Sequence, residues 1–317
     1  MDNLTHSLVG AAFGQMGLKK KTGLAMPALI LGANLPDIDA GCAIYGIESL
    51  AMRRGITHGP LALLLLPLLL WALLVAIDRW QARRGTRPPG RLPVHRGWLL
   101  ALCYLGCLSH PLFDWFNNYG IRLIEPFSHR WFYGDTLFII DLWIWIMLGL
   151  SVWFSLRRER RGAADWQRPA RIGFAAACAY IIANGLITDA AERTTSAALL
   201  ASGHENPLVV ASPPPLAFWT RDVFWRDTRR YGAGSFTPGL GGTLDISGKP
   251  TGIDDPRLAT WVKADPAARA FLFWARMPVA ETAGDAIMLR DQRYMQDFAR
   301  DRFAVRVTAP DTASHPE

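Results

Sequence analysis

Cysteine is scarce in this chain and absent from its C-terminal part. Cys42, Cys103, Cys107 and Cys178 all lie in or beside apolar segments, and none follows Cys178. Cys103 and Cys107 stand one helical turn apart with no second pair nearby. That disfavours a zinc–thiolate centre, and the four read as small buried hydrophobes. Positive charge is missing ahead of the first apolar stretch. The chain opens MDNLTHSLVGAAFGQMGLKKK, with its lysines after the apolar residues, so a cleavable signal peptide is not expected. An H-E-x-x-H helix is also missing, which argues against an intramembrane metalloprotease. So is the interleaving of aromatic and basic residues that marks a nucleic-acid surface. The net charge of +7 therefore needs another explanation. No internal repeat is evident.

Apolar sequence is plentiful. Half of the 317 residues are hydrophobic, and they concentrate before about Ile187. Pro60–Ile77, PLALLLLPLLLWALLVAI, has eighteen residues without a charge, enough to cross a hydrocarbon core of ~30 Å. Gly97–Phe113, Thr136–Leu156 and Ile172–Thr188 are three further candidate spans. Leu4–Leu18 and Thr22–Leu35 are shorter and are expected to be tilted, partly immersed or packed within the bundle. The basic residues explain the charge as a topology signal. Lys19–Lys21, Arg79–Arg96 and Arg157–Arg171 carry fifteen lysines and arginines, against four (Arg53, Arg54, Arg122, Arg130) in the intervening loops. The positive-inside bias puts the rich loops in the cytoplasm and both termini outside.

After Asp189 the composition becomes that of a soluble domain. ASPPPL reads as a stiff linker. RAFLFWARMPV, DAIMLRDQRYM and RFAVRVTAP alternate like strands. The expected organisation is mainly α: a polytopic helical membrane bundle over 1–188, with four long spans and two short N-terminal helices. A small extracytoplasmic β-rich domain over 205–310 and a disordered tail over 311–317 complete it.

Ionisable residues recur in or beside the apolar runs: His6, Asp37, Asp39, His58, His110, Asp114, Asp135 and Asp141. Such groups at membrane depth cost free energy unless paired or coordinated, so each is a functional hypothesis. The topology places the first seven at one face, although none of them was used to set it. Singly, each has a plainer reading. PDID can be a turn, Asp135 in YGDT can cap a helix, and His58 in RGITHGP can sit at the membrane interface. Together, imidazole and carboxylate suit zinc, manganese or iron. Three histidines and up to four aspartates exceed one tetrahedral shell, so one or two divalent ions are expected, zinc foremost. Of Asp37 and Asp39, Asp37 is the first choice as ligand, while the other can orient a histidine. Asp141 can pair with a cation or support a ligand. Arg54 can pair with a carboxylate or hold a substrate anion. His95 lies in a basic loop on the other face and is set aside. His129 is a weak candidate, and His204 and His315 lack comparable company.

The ordered set THSLVG, NLPDID, RGITHGP, SHPLFD and YGD resembles the YdjM-type family of bacterial inner-membrane, metal-dependent hydrolases. The resemblance is close over residues 1–155. It implies that His6, Asp37, Asp39, His58, His110, Asp114 and Asp135 are the motif positions. A more distant similarity to zinc-dependent phospholipase C rests on the helical frame and the His/Asp ligands. The function expected is hydrolysis of a lipid-derived or phosphoester substrate by metal-activated water at the outer face of the inner membrane. Asp39, Asp135 and Arg54 are the candidate catalytic residues. Membrane lipids are the expected partners, and nucleic acid is not. A non-catalytic metal-binding scaffold and a transporter are the alternatives.

Overall fold

The computed structural model describes residues 1–296 and 302–310, and the tail expected over 311–317 lies outside them. The chain divides into two compact units, one of Met1–Asp39, Arg54–Thr188 and Ser212–Trp219, the other of Ala40–Arg53, Asp189–Ala211 and Thr220–Glu317.

The first unit is helical. Helix α1 spans Asn3–Gln15 and starts where the Asp2 carboxylate accepts the backbone N–H groups of Leu4 and Thr5, at 3.0 and 3.1 Å. Helix α2 spans Ala25–Asn34 and runs into a 3₁₀ segment, Leu35–Glu48, that carries the PDID motif. Beyond a short helix α3, Ser49–Met52, which belongs to the second unit, α4 spans Pro60–Arg83 with Pro60 in its first turn. Helices α5 (Arg96–Trp115), α6 (Leu142–Arg160) and α7 (Arg168–Ala201) follow, the part of α7 from Asp189 on belonging to the second unit. His95 is the N-cap of α5, its Nδ1 accepting from the Trp98 N–H at 3.2 Å.

Helices α1, α2 and α5 pack backbone against backbone, because glycines line their contacts. A Cβ on Gly10 of α1 would come 2.6 Å from the Leu29 carbonyl oxygen, and one on Gly106 of α5 would come 2.7 Å from the same atom. Two apolar cores flank this contact. Val9, Phe113, Leu137, Ile144 and Leu148 build one, and Leu29, Leu70, Leu74, Leu99 and Leu102 build the other.

By length and composition, α4 and α7 can cross a membrane among the described residues. The outer face of α4 exposes Leu61, Leu64, Leu65, Leu68, Leu69 and Leu73. A leucine stripe of this kind suits lipid, since each such side chain gains ~1.5–3 kcal/mol on leaving water. The other two expected spans are helices of 20 and 19 residues, α5 and α6.

Two local expectations change in this unit. Thr136–Asp141 is not helical, and α6 begins at Leu142 with Asp141 as its N-cap. Asp141 is thus a capping group, accepting from the Ile144 N–H at 3.0 Å and the Tyr180 hydroxyl at 3.1 Å, rather than a charge inside a span. The proline-rich stretch, expected as a stiff linker, is anchored to the helices at its end. Trp143 Nε1 donates to the Leu216 carbonyl at 2.9 Å, and Phe218 packs edge-on against Trp143 and Tyr180.

The second unit carries two antiparallel sheets. The first has strands β1 (Leu208–Ser212), β2 (Arg221–Arg226), β3 (Arg230–Phe236) and β4 (Lys249–Pro250) in that order. Helices α8 (Pro256–Ala264) and α9 (Pro266–Trp274) follow. The second sheet has β5 (Pro278–Ala283), β6 (Ala286–Asp291) and β7 (Ala304–Val307) in that order. RAFLFW is helical, not extended. Asp265 caps α9 through the Ala267 and Ala268 N–H groups, Pro266 sets its first turn, and Ala268, Phe271 and Trp274 recur at helical spacing as its buried face.

Candidate metal centre

Asp37, His58, His110 and Asp114 each turn a ligand-type atom to a common point, with those atoms all within 4.8 Å of one another. Three local structures bring them there. Pro36 and the 3₁₀ turn after α2 deliver Asp37. The 3₁₀ turn Ile56–His58, just ahead of α4, delivers His58. His110 and Asp114 stand four apart on α5 and so share one face, with His110 Nε2 3.5 Å from Asp114 Oδ2.

The hydrogen bonds on the far side of each ring decide what the rings offer. His110 Nδ1 lies 2.7 Å from the Ala33 carbonyl oxygen. A carbonyl only accepts, so Nδ1 carries the proton and Nε2 keeps its lone pair. Thr57 Oγ1 gives its one hydrogen to Asp39 Oδ2 at 2.9 Å and therefore accepts from His58 Nδ1, also at 2.9 Å. Asp39 Oδ2 additionally accepts the Arg54 backbone N–H at 2.8 Å and lies 3.5 Å from His58 Nδ1. His58 Nε2 is then a lone-pair donor as well. The two Nε2 atoms face each other at 3.1 Å.

Around them, Asp114 Oδ2 is 3.4 Å from His58 Nε2, and Asp37 Oδ1 is 3.7 Å from His110 Nε2. Two nitrogen lone pairs and two carboxylates at these separations form an acceptor-rich pocket that a cation would satisfy. Ligand–ligand edges of a tetrahedral zinc shell are roughly 3.3–3.4 Å for bonds of ~2.0–2.1 Å, so the four residues fit a divalent ion. All are sequestered: His58, His110 and Asp114 have no exposed side-chain surface, and Asp37 has 7%. Asp114 Oδ2 and His6 Nε2 make no hydrogen bond of good geometry.

The remaining sequence candidates take distinct places. His6, on α1, stacks on the His110 ring with centroids 3.8 Å apart, and its Nε2 is 3.3 Å from Asp114 Oδ1. The Met1 α-amino group pairs with the same oxygen. Asp39 stands behind His58. Arg54 Nε is 3.1 Å from Asp114 Oδ2, and its Nη1 donates to Asn117 Oδ1 at 2.9 Å. Its guanidinium also lies 4.7 Å from the centre of the Tyr119 ring. Asp135 is buried in the loop after α5, its backbone at φ 50° and its carbonyl accepting from Thr188 Oγ1 at 3.0 Å. The Phe116 carbonyl accepts from the Thr136 and Leu137 N–H groups, at 2.7 and 2.9 Å, which straps this loop to the end of α5. His129 is outside the group, 68% exposed and paired with Glu125.

Thr57, Asn117, Tyr119 and the Ala33 carbonyl escaped the sequence reading. Thr57 lies inside the RGITHGP motif and Asn117 three residues past SHPLFD, which is the one signal that marks them. The backbone carbonyl leaves no sequence signal of its own.

The family model for the YdjM inner membrane protein matches residues 1–191, the stretch that contains every residue of this centre. No curated protein and no solved structure matches the chain. The chain belongs to the YdjM inner membrane protein family.

Proposed function

We propose that the protein is a membrane-bound, metal-dependent hydrolase acting on a lipid-derived or phosphoester substrate. The observation that carries this reading is the pair of imidazole lone pairs facing one another beside two buried carboxylates. Asp37, His58, His110 and Asp114 would hold the ion, with zinc the best match to the nitrogen and oxygen donors and manganese or iron next. A bound divalent ion would supply Lewis acidity and lower the pKa of a water toward ~7. The chain's own residues prepare that site. Ala33 and the Thr57–Asp39 pair fix the two ring tautomers. Arg54 brings a positive charge beside Asp114, where an anionic leaving group would be met. Acceptance of a proton falls to Asp39 or Asp135, the two buried aspartates of the motif set outside the group of four.

The membrane arrangement proposed with this activity has four long spans, α4 to α7, with the basic loops in the cytoplasm. The metal centre and a β-rich C-terminal domain then lie on the extracytoplasmic side. Such a site at membrane level favours substrates drawn from the bilayer.

The test is the metal content of detergent-purified protein together with turnover of phospholipid and phosphodiester substrates. Wild type should contain a stoichiometric divalent metal, and Asp37→Ala and His58→Ala should lose both metal and turnover. Active protein without metal would overturn the reading. Metal without turnover would favour the scaffold, and metal flux across liposomes would favour a transporter.

A further inference from the structure

At their basic ends, α6 and α7 flank an open groove of about 640 Å³, remote in sequence from the metal centre. Its form follows from one close contact. A Cβ on Gly173 would come 2.2 Å from Ser151 Cβ, so the helices touch there. Beyond that contact the groove opens between the arm from Ser151 to Arg161 and the first turn of α7. Its apolar lining is Phe154, Pro169 and Ile172, of which Phe154 and Ile172 are exposed. The rim carries Arg157, Arg158, Arg161 and Arg168. Asp165 is the one carboxylate in the lining and pairs with Arg158. Four guanidinium groups against one carboxylate leave a net charge of +3.

The rim has further positive neighbours. Lys19 and Lys20 lie over the Trp166 ring, 4.6 and 5.1 Å from its centre, and Lys19 pairs with Glu159. Trp153, half exposed, stands beside Arg157 with the guanidinium 5.4 Å from its ring centre. A tryptophan next to an arginine at the basic end of an apolar helix marks the level of the lipid headgroups.

We propose that this groove is a binding site for an anionic phospholipid, its phosphate among Arg157, Arg161 and Arg168 and its acyl chains along Phe154 and Ile172. A basic groove between membrane helices with exposed apolar side chains beside it matches both halves of such a molecule. Guanidinium forks bind phosphate oxygens in pairs, which a diffuse basic surface does not do. The inference does not depend on the metal centre or on which side of the membrane the basic loops face.

The test uses the full chain in detergent, with native mass spectrometry reading bound lipid. Wild type should retain phosphatidylglycerol at least tenfold more strongly than phosphatidylcholine of the same chains. Inorganic phosphate and glycerol phosphate should compete weakly, since they lack the acyl part. Arg161→Gln with Arg168→Gln should remove that preference. The charge-matched control Arg83→Gln with Arg84→Gln, in the other basic loop, should keep it. Equal retention of the two lipids by wild type overturns the proposal without any variant. Equal loss in the control reduces the effect to general surface charge and also overturns it, as does full competition by free phosphate.

Discussion

His58 Nε2 stands 3.1 Å from His110 Nε2, and neither nitrogen has a hydrogen to place between them. The protons sit on the opposite nitrogens, held by the Ala33 carbonyl and by Thr57 backed by Asp39. Both lone pairs are therefore committed to whatever cation enters.

Removing that cation should weaken the fold. Stripping the wild-type protein with a chelator should lower its melting temperature, and adding Zn²⁺ back should raise it. At a thousandfold excess over Kd the gain is ~4 kcal/mol. His110→Ala should show no zinc-dependent shift, because it loses a nitrogen donor and leaves the remaining acceptors poorly placed. A wild-type melting curve indifferent to both treatments would count against a metal at this position.

The groups behind the rings should matter without touching metal. Thr57→Val removes the hydroxyl that links Asp39 to His58, and Asp39→Asn removes the carboxylate's charge. Each should weaken metal affinity ~10–100-fold, the usual effect of losing a group that orients a ligand. Competition titration against a chromophoric chelator measures this. An unchanged affinity in both variants would leave Asp39 without its positioning role.

Packing one helical turn from His110 should reach the same site. Gly106→Ala would put a methyl group about 2.7 Å from the Leu29 carbonyl and force α2 away from α5. The strain should cost ~1–3 kcal/mol. It should also stretch the His110–Ala33 hydrogen bond, so metal affinity falls although every ligand is intact. Gly149→Ala, where a Cβ meets nothing within 4 Å, serves as the control and should behave as wild type.

These relationships mark where sequence reading succeeds and where it stops. Asp37, His58, His110 and Asp114 are legible because ionisable residues beside apolar runs are conspicuous. Their neighbours are not, since Thr57 is an ordinary hydroxyl and the Ala33 carbonyl belongs to every residue. Asp37 and Asp39 look equivalent in NLPDID. The turn separates them, one beside His110 and the other behind His58. Hydropathy also misplaced a boundary. TLFIID is apolar enough to join a span, yet the strap between Phe116 and Thr136–Leu137 keeps its start out of a helix, and the helix waits for the Asp141 cap. RAFLFW alternates loosely enough to pass for a strand, but Asp265–Pro266 starts a helix there.

The apolar face of α4 separates a membrane span from a surface helix. Leu65 and Leu69 are exposed at 55% and 65%. An arginine at a bilayer-centred position costs ~2.5–3.5 kcal/mol on insertion. Leu65→Arg with Leu69→Arg should therefore sharply reduce the membrane-inserted fraction, measured by carbonate extraction of membranes. On a water-facing helix the same change would be almost silent, and that result would remove α4 from the bilayer.

The second unit has its own electrostatic centre. Asp291 is fully buried and accepts from Arg293 Nε and Nη2 at 2.9 and 2.8 Å, and from the Arg276 N–H at 2.8 Å. Burial alone would raise its carboxyl pKa, but the Arg293 guanidinium, with the backbone N–H groups of Arg293 and Met277, holds it below the ordinary carboxylate range. A depressed folded-state pKa means the unfolded chain takes up the proton first as pH falls. The stabilisation is therefore fully present above the unfolded value of ~3.9 and is lost as pH drops through the lower folded value. Asp291→Ala removes the buried carboxylate that the Arg293 guanidinium grips with two hydrogen bonds and should cost on the order of 3 kcal/mol at neutral pH. Hydrogen exchange at the β6 amides, followed from pH 7 down to 3 in the full chain, reads both effects. Wild type should lose β6 protection only below about pH 4, whereas Asp291→Ala should be weakly protected throughout. A variant as well protected as wild type at pH 7 would show that the buried pair contributes nothing to this unit.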